Sequence, residues 1–197
     1  MRIVLATANP GKLREFRELL APLHLEVVPL SDFTRESADE TGLSFIENAI
    51  LKARFAARTS GLPAIADDSG LEVDGLRGAP DIYSARFAGQ GASDEANLQK
   101  LLQAVAPLEA SQRTARYQCA LAYMRWDTDA SPLVCQASWE GRIVLEPRGA
   151  GGFGYDPIFE VAGDTRTAAE LASAEKHRVS HRGKALRTML ELIKGSQ

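Results

Sequence analysis

The apolar positions at the start of the chain predict a strand, a loop and a helix in succession. Residues 3–5 form a short continuous apolar run, which the polar and turn-forming residues 7–12 interrupt. Beyond them, apolar residues recur at the spacing of one helix face, at Leu13, Phe16, Leu19 and Leu20. A second apolar run, at residues 25–30, predicts another strand.

The rest of the chain carries clear helix-start signals. Ser44 and Glu47 have the Ser-x-x-Glu spacing of a capping box, and the helix that they open should run to about Thr59. A second helix begins after Ser93, with apolar positions at Leu98, Leu101, Leu102 and Val105. A last helix begins after Ser180.

Strict alternation of apolar and polar residues predicts two long strands in residues 115–123 and 133–139, joined by a hairpin loop at 127–132. Their shared faces would carry Ala115, Tyr117, Cys119, Leu121, Tyr123, Leu133, Cys135, Ala137 and Trp139. Helices mixed with both hairpin strands and strands suited to parallel pairing favour an α/β fold with a mixed, strongly twisted central sheet and flanking helices.

Length and charge narrow the possible functions. A chain of 197 residues is expected to form a single domain over residues 1–197. Its net charge of -3 lacks the basic excess that general nucleic-acid or anionic-membrane binding requires, so neither is an expected partner. A small anionic ligand would have to be held by local groups.

Cysteine usage and hydropathy point to a cytosolic protein. Cys119 and Cys135 lie in strand-like segments without the spacing of a metal site or a disulfide framework, which suggests two core residues in a reducing compartment. No apolar run approaches the roughly 20 residues that span a bilayer, and residues 1–6 are too short for a signal sequence.

The first loop combines groups that suit a phosphate. Thr7, Asn9 and Lys12 supply a hydroxyl, an amide and an ammonium between a strand end and a helix N-terminus, where free backbone N–H groups favour an anion. The loop is not a Walker A motif, and an Asn-Pro-Gly turn before a helix also occurs for structural reasons alone. Both interpretations stay open on these residues.

Asp67 and Asp68 follow the short apolar strand predicted at residues 64–66, which places two acids at a strand end. Because a buried, unpaired carboxylate is costly, at least one should meet a metal, a cation or solvent. Glu40 is a second possible oxygen ligand, and Mg²⁺ takes only one or two carboxylates besides water and phosphate oxygens. The alternative is a solvated turn.

Two further segments could contact a nucleotide. Residues 149–154 match G-x-G-x-x-G, but the Tyr-Asp-Pro that follows prevents the helix a dinucleotide site needs, so Phe153 stacking on a base beside Asp156 is the better use. Lys176 and residues 180–184 place donors around the start of the last helix, where they could equally form a solvated face. No Ser/His/Asp or Cys/His set predicts a covalent mechanism.

Six short motifs occur in this chain in the order in which one family carries them: the chain resembles the inosine and xanthosine triphosphate pyrophosphatases, which clear deaminated purine nucleotides. The shared motifs are residues 7–12 (Thr-x-Asn-x-x-Lys), 40–49 (Glu-Thr-Gly-x-Ser-Phe-x-Glu-Asn-Ala), 66–71 (Ala-Asp-Asp-Ser-Gly-Leu), 78–86 (Gly-Ala-Pro-x-x-Tyr-Ser-Ala-Arg), 152–157 (Gly-Phe-Gly-Tyr-Asp-Pro) and 180–182 (Ser-His-Arg). The resemblance implies two lobes around a central cleft, a homodimer and dependence on Mg²⁺. It also implies hydrolysis of ITP, dITP and XTP to the monophosphate and pyrophosphate, which keeps these purines out of DNA and RNA.

The resemblance also implies residue roles. Glu40 and Asp68 would hold the metal, and Asp68 would be the catalytic residue that accepts a proton from the attacking water. The substrate-binding residues would be Thr7, Ala8, Asn9, Pro10, Gly11, Lys12, Ser69, Phe153, Gly154, Tyr155, Asp156, Lys176, His181 and Arg182. Of these, Lys176, His181 and Arg182 would read the purine edge.

Two other functions remain as alternatives. A non-catalytic nucleotide-binding module would use the phosphate loop and the base pocket without needing acids on a metal. An NAD-dependent dehydrogenase would rest on the match at residues 149–154 alone.

Overall fold

The computed structural model describes residues 2–7, 9–20 and 26–196. Its strands are β1 (Arg2–Leu5), β2 (Glu26–Pro29), β3 (Ala64–Val73), β4 (Thr114–Met124), β5 (Leu133–Ile143) and β6 (Phe159–Val161). Its α-helices are α1 (Pro10–Leu20), α2 (Phe45–Ser60), α3 (Asp94–Val105), α4 (Ser173–Val179) and α5 (His181–Gly195). The strands form one sheet in the order β2-β1-β3-β4-β5-β6.

Local capping chemistry sets the helix ends that the sequence predicts. The Ser44 hydroxyl accepts a hydrogen bond from the Glu47 N–H at 3.3 Å and opens α2. Gly61 ends this helix in the left-handed conformation at φ 66°, which a residue without Cβ adopts at no steric cost. Ser93 caps α3 by accepting from the Ala96 N–H at 3.2 Å. These predictions are confirmed.

The sheet is mixed, as predicted. Strand β1 pairs in parallel with β2 and with β3, whereas β5 pairs with β6 in antiparallel. The two long alternating segments form the neighbouring strands β4 and β5. The predicted α/β class, with helices accompanying a mixed sheet, is confirmed.

The sequence prediction was wrong about the end of β3. The strand does not stop before Asp67 but continues through both acids to Val73. A charged residue in a buried strand is tolerated when a cation from elsewhere in the fold compensates it, and such cations reach both acids here. The acids therefore lie inside a strand, with their positions fixed by the sheet.

The chain divides into two compact units, each assembled from separate segments. Unit 1 comprises residues 1–68, 119–137 and 182–197, and unit 2 comprises residues 69–118 and 138–181. Each has its own apolar core. That of unit 1 includes Ile3, Phe16, Ile65, Cys119, Leu121, Tyr123 and Met189, and that of unit 2 includes Leu71, Leu101, Tyr117, Trp139, Ile158 and Phe159. The single domain and the central cleft stay predictions.

Both cysteines lie in the strands where the sequence places them. Cys119 is buried and Cys135 is half-buried, and each is a free thiol. Burial raises the pKa of the Cys135 thiol to about 11. Among the described residues, no helix is both long enough and apolar enough to cross a bilayer.

Candidate active site

Unit 1 gathers acidic and basic side chains from separate parts of the chain into one group, which we name the charged cluster. Its members are Lys12, Glu15, Glu40, Lys52, Asp67, Asp68 and Arg182. They come from α1, the segment before α2, α2 itself, β3 and the start of α5. Four predicted site segments, those containing Lys12, Glu40, Asp68 and Arg182, thereby contribute a charge to one group.

Asp67 and Asp68 have different partners because successive side chains of a strand point to opposite faces. Asp67 pairs with the Lys12 ammonium at 2.9 Å and with the Arg182 guanidinium at 3.4 Å. Asp68 pairs with the Lys52 ammonium at 2.7 Å and accepts from the Asn48 amide at 3.4 Å. One strand therefore supplies two carboxylates to two separate sets of donors.

The two acids differ in their titration. Burial acts to raise the pKa of Asp67, but Lys12 and Arg182 outweigh burial and hold that pKa well below its usual range. For Asp68 burial is again the largest influence, and it prevails over Lys52 and Lys12, so the pKa is raised. Asp67 is thus a fixed negative charge, and Asp68 is the more basic carboxylate.

Asp68 and Glu40, the predicted metal ligands, share one cation in this structure. The Lys52 ammonium lies 2.7 Å from an oxygen of Asp68 and 3.3 Å from an oxygen of Glu40. Burial lowers the pKa of Lys52, but Asp68, Asp67 and Glu40 together raise it above its ordinary value. The two carboxylates thus already converge on a positive charge.

This arrangement fits Mg²⁺, which binds through one or two carboxylates and fills its remaining positions with water and phosphate oxygens. Within residues 2–7, 9–20 and 26–196, no group of three or more His, Cys, Asp or Glu could hold a metal alone. A metal held by Glu40 and Asp68 would therefore complete its coordination with water or with phosphate oxygens of the substrate.

The segment that carries Glu40 is held against α2. The Asn48 side-chain oxygen accepts from the Gly42 N–H at 2.9 Å, while the Asn48 amide donates to Asp68. A Cβ at Gly42 would lie 2.6 Å from the Cβ of Glu47, so only glycine allows this approach. Asn48 thus links the Glu40 segment to the more basic carboxylate.

The first loop is ordered by its own side chains. The Thr7 hydroxyl accepts from the Asn9 N–H at 3.2 Å, and the Asn9 side chain accepts from the Lys12 N–H at 3.1 Å. Pro10 and Gly11 begin α1, which directs Lys12 toward Asp67. Ala8, another predicted contact, lies outside the described residues. Phosphate binding by this loop stays a prediction.

Arg182 lies among acids of unit 1. The residue is 2% exposed. Its guanidinium donates to the Glu15 carboxylate of α1 and lies 3.4 Å from Asp67. Burial lowers the pKa of Arg182, but Asp67 and Glu15 more than offset that effect and raise it. Base reading by Arg182 stays a prediction. The contacts of Arg182 place it beside Asp67, the ion-pair partner of Lys12.

Unit 2 contains a second group, centred on Asp156, which we name the Asp156 cluster. Its carboxylate accepts from the Lys176 ammonium at 2.7 Å, the Phe153 N–H at 2.8 Å and the Tyr117 hydroxyl at 3.3 Å. The ammonium also lies 5.2 Å from the centre of the Phe153 ring. Three predicted base-site residues, Phe153, Asp156 and Lys176, are therefore brought together.

The glycine-rich loop, residues 149–154, packs closely against the Asp156 carboxylate. A Cβ at Gly152, whose φ is +74°, would overlap the Asp156 carboxylate, so glycine is required at that position. The Gly154 N–H donates to Asp94 at 3.0 Å, and the buried Tyr155 hydroxyl donates to the Ser84 carbonyl at 2.8 Å. No α-helix begins within residues 149–154, which removes the structural basis for a dinucleotide fingerprint.

His181 lies in an aromatic stack. Its imidazole is 4.7 Å from the Tyr117 ring, with an angle of 7° between the planes, and 6.2 Å from the Trp139 ring. Residue His181 is 4% exposed and opens α5. Ser69, also predicted to contact the substrate, is half-buried in β3 directly after Asp68.

Sequence reasoning missed three residues of these groups. Lys52 lies four positions after Asn48 on α2, so both polar side chains share one helix face with the buried Ala49 and Ala53, a signal that was available. Glu15 had no comparable signal, because its burial next to Phe16 is visible only in the folded chain. Tyr117 had none beyond its apolar strand face.

Comparison with known proteins agrees with this arrangement. The Ham1 family matches residues 3–192 of the chain. The dITP/XTP pyrophosphatase of Thioalkalivibrio sulfidiphilus (strain HL-EbGR7) is 59% identical over 195 residues, covering 99% of this chain and 100% of that one. The dITP/XTP pyrophosphatase of Escherichia coli (strain K12) is 55% identical over 193 residues, covering 98% of each chain.

Solved structures show the same relationship. A HAM1 protein from Coxiella burnetii superposes with a TM-score of 0.90 at 47% identity, covering 99% of both chains. The Ham1 protein of Staphylococcus aureus gives a TM-score of 0.86 at 37% identity and covers 100% of both chains. With sequence and structure matched over nearly the full length, the chain belongs to the Ham1 family.

Proposed function

We propose that this chain is a nucleoside-triphosphate pyrophosphatase that hydrolyses non-standard purine nucleotides, ITP, dITP and XTP, to the monophosphate and pyrophosphate. The observation that carries the proposal is Asp68, a buried carboxylate of raised pKa that shares the Lys52 ammonium with Glu40. A binding module would have no use for a basic carboxylate held in this way. The relatives named dITP/XTP pyrophosphatase support the choice of substrate.

The chain's own residues would divide the chemistry between them. Lys12 and the N–H groups at the start of α1 would hold phosphate oxygens, because a helix N-terminus and an ammonium both favour anions. Asp68 would accept the proton of the water whose oxygen attacks the α-phosphorus. The bond from that phosphorus to the bridging oxygen then breaks, and pyrophosphate leaves without a covalent intermediate.

Glu40 and Asp68 would hold Mg²⁺. When bound, the ion supplies charge that offsets the negative charge building up on the leaving pyrophosphate. Lys52, which now neutralises both carboxylates, would be left to contact phosphate oxygens. Ser69, beside Asp68 in β3, would add a hydroxyl to the same phosphates.

The Asp156 cluster would receive the base. Phe153 would stack on the purine, with Gly154, Tyr155 and Asp156 lining the site, while Lys176 and His181 would donate to the carbonyl at C6 of hypoxanthine or xanthine. Adenine has an amino donor at that position, which would leave desolvated donors unpaired at about 1–3 kcal/mol per group. Guanine shares the carbonyl, so its rejection must arise at the 2-amino group.

We further propose that the enzyme acts in the cytoplasm as a homodimer and has no nucleic-acid or membrane partner. The support is indirect: both cysteines are free thiols, and the net charge of -3 offers no general attraction to polyanions. Size-exclusion chromatography with light scattering would measure the oligomeric state directly.

Pyrophosphate release measured on ITP, dITP, XTP, GTP and ATP tests the activity. We expect the first three to be cleaved at least about 10-fold more efficiently than ATP, as one unpaired buried donor implies. Chelation with EDTA should stop the reaction, and Mg²⁺ should restore it. Release of single phosphates would contradict cleavage between the α and β phosphates, and binding of ITP without any cleavage would leave the non-catalytic binding module as the better description.

Lys12→Ala tests the phosphate loop. We expect KM for ITP to rise about 10-fold or more, because a charge-assisted contact to the triphosphate is lost, while kcat changes less. Arg14→Ala is the matched control, since Arg14 is an exposed cation two residues further along α1. An equal KM in the Lys12 and Arg14 variants would reduce the first loop to a structural turn.

A further inference from the structure

Tyr117 contacts both His181 and Asp156, two residues that are distant from it in sequence. It lies in β4, is 8% exposed, and had been predicted only as one apolar position on a strand face. Its ring and its hydroxyl have different partners, so the two can be considered and tested separately.

The ring packs face to face with His181. The two ring centres are 4.7 Å apart with planes at 7°, and Trp139 stacks against both rings, at 6.3 Å from Tyr117 and 6.2 Å from His181. A flat ring lying against the imidazole restricts its rotation about the side-chain bonds, so the stack holds the plane in which the ring nitrogens of His181 lie. Phe159 tilts against Tyr117 at 4.7 Å and supports it from within the core.

The hydroxyl of Tyr117 contacts the Asp156 carboxylate. It donates to Oδ1 of Asp156 at 3.3 Å, while Oδ2 of the same carboxylate accepts from Lys176 and from the Phe153 N–H. Both carboxylate oxygens are thereby engaged, and rotation of Asp156 would break contacts to Lys176 and to the loop that carries Phe153. The Tyr117 hydroxyl therefore helps to fix the acceptor on which this cluster depends.

We propose that Tyr117 is a positioning residue for purine recognition, which orients the His181 imidazole with its ring and the Asp156 carboxylate with its hydroxyl. It acts through these two groups and does not itself need to touch the base. The inference rests on the proposed function, in which His181 and Asp156 face the purine. Loss of Tyr117 should consequently weaken recognition of the base, while binding of the phosphate groups and the rate of the chemical step stay nearly the same.

Two variants separate the ring from the hydroxyl. Tyr117→Phe keeps the stack and removes only the hydroxyl, so KM for ITP should rise about 3-fold, as loss of one neutral hydrogen bond implies. Tyr117→Leu removes both, so KM should rise about 10-fold while kcat changes less than about 3-fold. Inhibition by tripolyphosphate, a probe that carries phosphates and no base, should stay within about 2-fold of wild type in both variants.

Tyr123→Leu is the matched control. It makes the same exchange six residues further along β4, at a side chain that packs in the core of unit 1. A general loss of packing should affect both leucine variants alike, whereas a positioning role should raise KM for ITP only in the Tyr117 variant. Circular dichroism melts of all three variants show which of them fold, and the phenylalanine variant carries the test if Tyr117→Leu does not.

The outcomes are distinct. Unchanged KM for ITP in both Tyr117 variants, a parallel rise in Tyr123→Leu, or a parallel weakening of tripolyphosphate inhibition would each overturn the positioning role while wild-type cleavage of ITP stands. Failure of the wild type to cleave ITP would instead overturn the proposed function, and this inference with it.

Discussion

Asp68→Asn is expected to lower kcat for ITP about 100-fold or more, with little change in folding. Asparagine has nearly the same shape, and it can still lie beside Lys52 and Asn48. It does not accept a proton from water, and it is a poor ligand for a hard cation. The variant therefore removes the chemistry of the carboxylate without creating a cavity.

The neighbouring acid provides the contrast. Burial raises the pKa of Asp68, so its charged form is less favoured in the folded state than in the unfolded one, although its ion pair with Lys52 is stabilising. The pKa of Asp67 is held low by Lys12 and Arg182, so its charge stabilises the fold at any pH above the usual range of an aspartate. Asp67→Asn should therefore lower the melting temperature more than Asp68→Asn does.

Steady-state pyrophosphate release and thermal melts, measured on both asparagine variants, check these expectations. A kcat near that of wild type for Asp68→Asn would remove Asp68 from the reaction. A fall in melting temperature equal to that of Asp67→Asn would show that its contribution is mainly structural.

The helix ends could be predicted because short-range chemistry determines them. Ser44 and Ser93 cap backbone N–H groups three residues further along the chain, and Gly61 adopts a left-handed conformation that other residues avoid. Each signal and its effect lie within one helical turn. The same holds for the alternation that defines β4 and β5, where the pattern directly reflects the geometry of a strand.

The course of β3 through two acids could not be predicted in the same way. Whether a carboxylate is tolerated in a buried strand depends on cations from distant segments, here Lys12, Lys52 and Arg182. No local sequence pattern around Asp67 predicts which cations will pair with it. On its own, Asp-Asp-Ser-Gly left open both a solvated turn and a contact with a metal, a cation or solvent, and in the structure both acids contact cations.

In the candidate site, too, some residues could be predicted from local sequence and others could not. The motifs identified the groups with distinctive chemistry, such as Lys12, Asp68 and Asp156, because an acid or base beside glycine or an apolar strand stands out in a sequence. The residues that hold these groups, Glu15 and Tyr117, look like ordinary members of an amphipathic helix and an apolar strand. Only the contacts in the folded chain identify them.

Arg182→Ala is expected to lower the free energy of unfolding by about 3 kcal/mol or more, because it removes a buried cation that contacts two acids, Asp67 and Glu15. The Arg182 side chain is 3% exposed, that of Asp67 is fully buried and that of Glu15 is 11% exposed, so water would not readily replace the guanidinium. Lys12 would remain as a partner for Asp67, whereas the contact between the Arg182 guanidinium and the Glu15 carboxylate would be lost.

Urea unfolding followed by circular dichroism measures the loss, with Arg187→Ala as the matched control. Arg187 is an exposed residue of the same helix, and its removal should change the free energy of unfolding by less than about 0.5 kcal/mol. Arg182→Lys retains the charge but loses the planar donor fork, so its stability should fall between wild type and the alanine variant. Equal stabilities of the Arg182 and Arg187 alanine variants would refute the idea that Arg182 neutralises buried acids.

The same variants decide what Arg182 does for the substrate. If it reads the purine edge, Arg182→Lys should reduce kcat/KM for ITP more than for ATP, because a base contact is made only with the matching base. Its recorded partners in unit 1, Glu15 and Asp67, lead us to expect the other result, a similar loss for both triphosphates. The reason is that Arg182 and Lys12 both pair with Asp67. A change at Arg182 that moves the Asp67 carboxylate would also move the Lys12 ammonium. We propose that every triphosphate needs this ammonium, whatever base it carries. Values of kcat/KM for ITP and ATP, measured with saturating Mg²⁺ on wild type and on Arg182→Lys, separate the two roles, and a selective loss with ITP would return Arg182 to the base site.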